Sequence, residues 1–449
     1  MRLTFCGGAS EVTGSNYLLE SKNGEKILID CGLSQGGHYA EEENFQPFPY
    51  DLKEIQAVLV THAHIDHVGR IPQLVKLGFR GKIYSTPPTR DFAELLLLDS
   101  EHILGKEAET HGHEPLYFEK DVKKTMSMWK GVPYHKMFQI GGFNIEIFDA
   151  GHVLGSAFYR VHADGKSIVF SGDLGNSPAP IIRDLEPLPE SDYVLLESTY
   201  GARVHDEADT RQKDLMDAII GTIRAGGVLM IPAFALERTQ DLLYHMDNLV
   251  EGGKIPRVPI YMDSPLAIKL TKVYRKYHDY FNETSAAAMA SGNDILNFPG
   301  LHPCLTPEES KAINRAPAPK VIIAGSGMSN GGRILHHEMR YLSDPKSCLL
   351  IVGYQARGTL GRRLQDGDKQ VHIFGVEVQV RAKIRSMNSY SAHADGPHLL
   401  AWLEPRRDGL KKVFMVHGEE DQGDYLARKV RDELGVAAEV PARGQVVEL

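Results

Sequence analysis

Up to about residue 205 the chain alternates short apolar runs with turn-forming residues. Leu3 and Phe5, Tyr17–Leu19 and Lys26–Ile29 read as strands of a small antiparallel unit, with Asn23-Gly24 as the hairpin turn between the last two. Gln56–Val60 is apolar enough for a buried strand. The spacing of Phe92, Leu95, Leu96, Ile103 and Leu104 predicts a helix from Pro88 to about Ala108, and a shorter helix is predicted over 121–130. Strands are expected at 143–148, 157–161, 167–170 and 192–196, the middle two joined by the turn Ala163-Asp-Gly-Lys166. After residue 205 the rhythm changes. Helices near 208–224, 237–250, 265–281 and 331–342 alternate with apolar runs at 228–231, 258–262, 321–324 and 348–352. Such alternation predicts a parallel sheet covered on both faces. Val376–Val380 and Lys412–Val416 then resume short strands. A chain of 449 residues is expected to form more than one core. The division predicted is 1–205 with 386–449 as one domain, interrupted by an inserted domain at 206–385.

Composition narrows the class only a little. Fifty basic against 59 acidic residues, a net charge of −9, exclude a globally basic nucleic-acid binder but allow a local basic lining. Cys6, Cys31, Cys304 and Cys348 are scattered, with no C-x-x-C pair, so neither a disulfide framework nor a thiolate metal site is predicted. No apolar stretch approaches the roughly 18–20 residues of a membrane span. A cytoplasmic protein with no membrane partner is the expectation.

The chemistry concentrates at strand ends. Directly after Gln56–Val60, the segment Val60-Thr-His-Ala-His-Ile-Asp-His-Val-Gly69 brings His62, His64, Asp66 and His67 into six residues. Imidazole and carboxylate are the ligand types that suit zinc, and crowding them together costs desolvation unless something binds them. Asp30, His152, Asp173, Glu197, His393 and His417 follow other predicted strands. Singly, each could be an ordinary loop residue; Asp173 in Ser171-Gly-Asp-Leu-Gly175 could simply accept backbone amides. Their recurrence at strand ends favours one shared site.

Asp30, His62-Ala-His-Ile-Asp-His67, His152 and Asp173 resemble, in order, the successive motifs of the metallo-β-lactamase superfamily. Glu197 in Glu-Ser-Thr-Tyr-Gly201, His393 in Ser-Ala-His-Ala-Asp395 and His417 in Val-His-Gly-Glu419 are similar to motifs A, B and C of its β-CASP nuclease branch, whose members include the nuclease subunit of the cleavage and polyadenylation machinery and short bacterial relatives. The resemblance implies an α/β fold: a four-layered αβ/βα domain interrupted by a doubly wound β-CASP domain. It also implies two Zn²⁺ ions, one held by His62, His64 and His152, the other by Asp66, His67 and His417, with Asp173 bridging and Asp30 orienting the histidine loop from behind. Mn²⁺ could occupy similar ligands. Asp66 would also serve the chemistry, with His393 as proton donor steered by Glu197. A histidine at motif C resembles the RNA-cleaving members.

Inside the inserted region, Ala324-Gly-Ser-Gly-Met-Ser-Asn-Gly-Gly-Arg333 follows a predicted strand and precedes a helix, a setting for phosphate on backbone amides. A dinucleotide site and a plain tight turn are the other readings. The loop resembles a β-CASP segment that contacts nucleic acid, which nominates Ser326, Gly327, Met328, Ser329 and Arg333. From Val321 to Arg385 there are ten Lys/Arg against five Asp/Glu, so Arg340, Arg357, Arg362, Arg363, Arg381, Lys383 and Arg385 could line a strand path. Glu237 stands before Arg238-Thr-Gln240 where the family commonly has glycine. The expected function is a zinc-dependent ribonuclease on single-stranded RNA, cutting internally and leaving 5′-phosphate and 3′-hydroxyl ends; a homodimer is possible. Three alternatives remain: a 5′-to-3′ exoribonuclease, a small-ester or thioester metallohydrolase, and a non-catalytic RNA-processing scaffold.

Overall fold

The structure, a computed structural model, describes residues 1–35, 42–112, 114–205, 210–356, 358–387 and 390–449. Arg357 lies outside the described residues. The chain divides into two units: Met1–Ala179 with Arg183–Val204 and His393–Leu449, and Pro180–Ile182 with His205–Ala392.

The first unit holds two mixed sheets. One contains β1 (Arg2–Gly7), β2 (Asn16–Glu20), β3 (Lys26–Ile29), β4 (Ile55–Leu59), β5 (Lys82–Ser85) and β6 (Trp129–Gly131). The other contains β7 (Phe138–Ile140), β8 (Phe143–Asp149), β9 (Ala157–Ala163), β10 (Lys166–Phe170) and β11 (Tyr193–Glu197). In the second unit lie β12 (Val228–Pro232), β13 (Ile260–Asp263), β14 (Leu301–Pro303), β15 (Lys320–Ala324), β16 (Cys348–Ile351), β17 (Gln370–Ile373), β18 (Val376–Gln379) and β19 (Lys383–Ser386). The chain then returns to the first unit with β20 (Lys412–Val416), β21 (Ala437–Glu439) and β22 (Val446–Glu448). The two first-unit sheets run β22-β1-β2-β3-β4-β5-β6 and β21-β20-β11-β10-β9-β8-β7.

Period-two patterning makes these sheets face each other. Leu3, Phe5, Leu19, Ile27, Ile29 and Leu59 from one sheet share a core with Phe143, Ile145, Tyr159, Ile168, Phe170, Leu195 and Phe414 from the other. The intervening residues Phe158, Val169, Val194 and Leu196 point the opposite way, onto Leu399 and Trp402 of the helix Gly396–Leu403 and Leu426 of the helix Glu420–Lys429. Burying one large apolar side chain in such a core stabilises the fold by about 1.5–3 kcal/mol. The helices Ile71–Leu77, Pro87–His111 and Glu119–Met128 accompany the first sheet, giving the layer sequence helix, sheet, sheet, helix.

The second unit has a six-stranded, wholly parallel sheet of order β14-β13-β15-β12-β16-β19. Every residue of β12, β15 and β16 is buried, as strands covered on both faces must be. The strand expected at 376–380 does not resume the first-unit sheets. It pairs antiparallel with β17 as a separate hairpin, its Ile373↔Val376 register closed by a turn at Phe374-Gly375. The sequence pattern also passed over β5, β6 and the edge strand β19, all too short for alternation to register.

Candidate metal centre

Every sequence-nominated ligand lies in the first unit, on loops that leave strand ends. Behind β4, Thr61 leads into His62 and the single-turn helix Ile65–Val68, which carries Asp66 and His67. Asp30 follows β3 with φ of +56°, buried to 1% exposure. Its Oδ1 accepts the Thr61 amide at 2.8 Å, and its Oδ2 accepts the Thr61 hydroxyl at 2.7 Å and faces His67 Nδ1 at 2.8 Å. Asp30 therefore fixes which nitrogen of His67 points forward. Gly32 is required for a close approach: a Cβ there would come 1.6 Å from the Asp66 carbonyl oxygen.

Asp173, after β10, stands between two groups. Its Oδ2 is 3.3 Å from His62 Nε2 and 3.6 Å from His152 Nε2, while its Oδ1 is 3.3 Å from His67 Nε2 and 3.4 Å from His417 Nε2. His64 Nδ1 closes the first group at 3.0 Å from His62 Nε2, and Asp66 Oδ2 joins the second at 3.9 Å from His417 Nε2. The donor atoms of His62, His64, His152 and Asp173, and those of Asp66, His67 and His417, each fall within 4.8 Å of one another. His417 follows β20 with φ of +48°, and its Nδ1 is backed by Ser15 Oγ at 2.9 Å.

This donor set fits divalent metal. Among the described residues, His67 Nε2 and Asp173 Oδ1 are buried without a hydrogen-bond partner, although facing one another at 3.3 Å. Buried polar atoms are ordinarily paired, so atoms left aimed at a common point call for a cation. Burial, reinforced by His67, pushes His62 down to about 3, and burial pushes His64 down to about 4, which leaves both as neutral imidazoles with ligating lone pairs. His152 is likewise well below the ordinary imidazole range, through burial and then His393. His67 differs: burial pushes it down, but Asp173 and Asp30 outweigh burial and hold it well above that range.

Beside these groups stands a carboxylate–imidazole pair. Glu197, at the end of β11 and fully buried, accepts the Leu174 amide at 2.6 Å and holds His393 Nδ1 at 3.0 Å. His393 keeps 21% of its side chain exposed and lies 3.9 Å from Asp173 Oδ2. Burial lowers an imidazole, yet the charge and hydrogen bond of Glu197 outweigh it and raise His393 to about 9. Ser15 and Thr61, which position His417, His62 and His67, were not visible in the sequence as site residues. Thr61 carried one signal, its place immediately before the histidine run; Ser15 carried none.

The glycine-rich loop of the second unit differs in detail from a phosphate cradle. The Ser326 amide donates to the Gly331 carbonyl, the Ser329 amide to the Ser326 carbonyl, and the Asn330 amide to Ser326 Oγ. Ser329 Oγ donates to Glu338 at 2.5 Å. Arg333 does not reach outward: Nη1 binds Asp263 Oδ1 at 2.7 Å and the Cys304 carbonyl, and Nη2 the Leu305 carbonyl. Sequence spacing could not show these commitments, because the partners come from three other segments. Gly327 is buried and Met328 half-buried, their carbonyls taken by Gln355 Nε2 and the Gly361 amide. Arg362 and Arg363 pair with Asp366 and Asp368, so their charges are locally compensated. Glu237 lies at φ 67°, ψ −59°, with the Arg238 amide bonded to the Leu236 carbonyl, a γ-turn of the rarer, strained hand. That geometry explains why glycine suits the position. Burial holds the Glu237 carboxyl well above its ordinary range despite Arg238 3.3 Å away.

No helix among the described residues is long and apolar enough to cross a membrane. Residues 18–183 match the metallo-β-lactamase superfamily domain, 239–364 the Beta-Casp domain, and 377–441 the Zn-dependent metallo-hydrolase RNA specificity domain. The chain is 39% identical to the ribonuclease TTHA0252 of Thermus thermophilus over 94% of each chain. It is 32% identical to an RNase J-like protein of Methanocaldococcus jannaschii, over 100% of this chain and 99% of that one. The transcription termination factor FttA of Methanosarcina mazei is 32% identical over 100% of this chain and 72% of its own length. A crystal structure of a protein of unknown function from Enterococcus faecalis V583 shares the fold, with a TM-score of 0.55 at 12% identity over 100% of this chain and 99% of that one. The motifs, the four-layered unit and these matches agree: the chain belongs to the β-CASP branch of the metallo-β-lactamase superfamily.

Proposed function

We propose that the protein is a ribonuclease that uses two zinc ions to hydrolyse phosphodiester bonds of single-stranded RNA at internal positions. The observation that carries this reading is Asp173, whose two oxygens face two separate ligand groups with the Glu197–His393 pair alongside. His62, His64 and His152 with Asp173 would hold one ion and Asp66, His67 and His417 the other, and zinc held there would supply Lewis acidity for activating water near neutral pH and for neutralising a phosphodiester. The chain's own residues do the rest. Asp30, Thr61 and Ser15 fix the faces that His67, His62 and His417 present. Asp66, on the outer side of its group, adds negative charge beside His67 and His417. His393 has Nδ1 engaged by Glu197, which assigns Nε2 as the nitrogen that would carry a proton to the departing 3′ oxygen. With water as nucleophile, the products are 5′-phosphate and 3′-hydroxyl ends.

Related ribonucleases and the RNA specificity match support RNA over a small ester as substrate. A scaffold without catalysis would have no need of a complete ligand set. The test is cleavage of matched single-stranded RNA and DNA by zinc-loaded protein, with metal content measured by mass spectrometry. Preference for DNA, or retention of a single ion per chain in the active enzyme, refutes the reading. Circular single-stranded RNA, which has no end to enter by, separates internal cleavage from 5′-to-3′ digestion.

A further inference from the structure

We propose that Phe234 is the stacking face of a nucleobase subsite in the second unit; the proposal rests on the ribonuclease reading and deepens it. In open parallel sheets ligands bind beyond the carboxyl ends of the strands, where the direction of winding reverses. Here the order β14-β13-β15-β12-β16-β19 places that reversal between β12 and β15. From β12 the chain winds outward to β13, and from β15 it crosses back past β12 to β16. The loops leaving β12 and β15 therefore diverge, and Phe234 stands on the first of them, two residues past Pro232.

Phe234 is 41% exposed, which is large for a phenylalanine in a well-packed loop. The ring is not loose. The Thr239 amide and hydroxyl both donate to its carbonyl, at 3.2 and 2.7 Å, pinning the backbone. One edge of the ring rests against Gly327, where a Cβ would come within 2.6 Å of Cδ2 and 2.7 Å of Cε2. Gly327 is thus the residue that lets the ring sit where it does. Gln355, 2% exposed, donates from Nε2 to the Gly327 and Gly353 carbonyls at 3.0 and 3.1 Å, tying the loop after β15 to the loop after β16. That third loop carries Tyr354, itself 39% exposed. Three loops at the ends of three adjacent strands hold a supported aromatic face open to solvent.

A planar π-system held rigidly suits a nucleobase, since every base offers a π-face and a pinned ring loses little freedom on binding. The subsite would accept bases without reading their edges. Removing a stacked base or its aromatic partner weakens single-strand binding roughly 5- to 150-fold.

The test is an abasic scan. Labelled 12-mer oligoadenylates, each with one abasic position, are titrated by fluorescence anisotropy against His393→Ala protein with Phe234 intact, with Phe234→Leu, and with Phe234→Tyr; wild-type cleavage of the same RNA is followed on gels. With Phe234 or Tyr present, one position loses affinity by that factor, and with Leu the same position becomes indifferent. Equal loss at all positions in Phe234→Leu, or an unchanged abasic profile, overturns the subsite while cleavage by wild type leaves the ribonuclease reading intact. A Phe234-dependent profile without wild-type cleavage overturns the ribonuclease reading and upholds the subsite. Absence of any binding overturns both.

Discussion

Replacing Glu338 by glutamine removes a proton-linked weakness of the second unit. Glu338 is fully buried on the helix Ile334–Tyr341; Oε1 accepts from Ser329 Oγ, and Oε2 has no hydrogen-bond partner among the described residues. Burial raises the carboxyl from 4.5 to about 8, with Ser329 opposing. A carboxyl raised in the folded state gives stability that is complete below its ordinary value and is lost as pH climbs through about 8. At 1.36 kcal/mol per pH unit, the wild type loses on the order of 5 kcal/mol across that window, while the amide, which cannot ionise and still accepts from Ser329, loses none. Hydrogen exchange of peptides spanning 325–342 reads this directly, because the ratio of variant to wild type at each pH cancels the intrinsic exchange rate. Protection of Glu338→Gln relative to wild type should grow about tenfold per pH unit from pH 5 to 8 and then level. Parallel curves, or lower protection in the variant throughout, would show that the carboxyl is ionised or hydrated in the folded protein and would refute the reasoning.

On the proposed two-ion reading, Asp173→Ala should cost both ions, since each of its oxygens faces a different histidine group; mass spectrometry finding one ion fully retained would contradict a shared role for Asp173. His393→Ala should keep its metal yet lose roughly 10²- to 10⁴-fold in turnover, and loss of metal instead would make His393 a ligand. Glu237→Gly relieves a strained backbone and removes a buried carboxyl, so it should raise stability by about 1 kcal/mol, measured by chemical denaturation followed by circular dichroism; a clear fall would mean that the contact with Arg238 outweighs the strain. Chelation should lower the melting temperature of the first unit, read from Trp129 and Trp402, more steeply than that of the second; equal shifts would place metal-linked stability elsewhere.

The two clusters of His and Asp side chains were legible because four members sit within six positions and the others each follow an apolar run that reads as a buried strand. What joins them was less so. Ser15 reaches His417 across most of the chain, and no local pattern announces a pairing set by the order β21-β20-β11. The long helix Pro87–His111 and the parallel strands of the second unit declared themselves by length and burial. Short edge strands without a continuous apolar run, such as β6 and β19, did not, since their mixed polarity cannot be told from a loop. The glycine-rich loop was found for its composition, but Arg333 and Ser329 are spent on Asp263 and Glu338, partners that only tertiary packing supplies. Phe234 was passed over for the opposite reason: an aromatic between apolar residues reads as core until its exposure is known.

The placement of β20 has a consequence for how the enzyme is made. A ribosome delivers His62, His64, Asp66 and His67 early, and His152 and Asp173 soon after, but His393 and His417 emerge only after the whole second unit has been translated. Until residues 393–417 have been added, Glu197 lacks its imidazole and one side of Asp173 lacks His417. A nascent or prematurely terminated chain therefore carries most of a metal site and none of its completed chemistry. A cleavage site assembled from both ends of the first unit's sequence is therefore complete only after the second unit has been made.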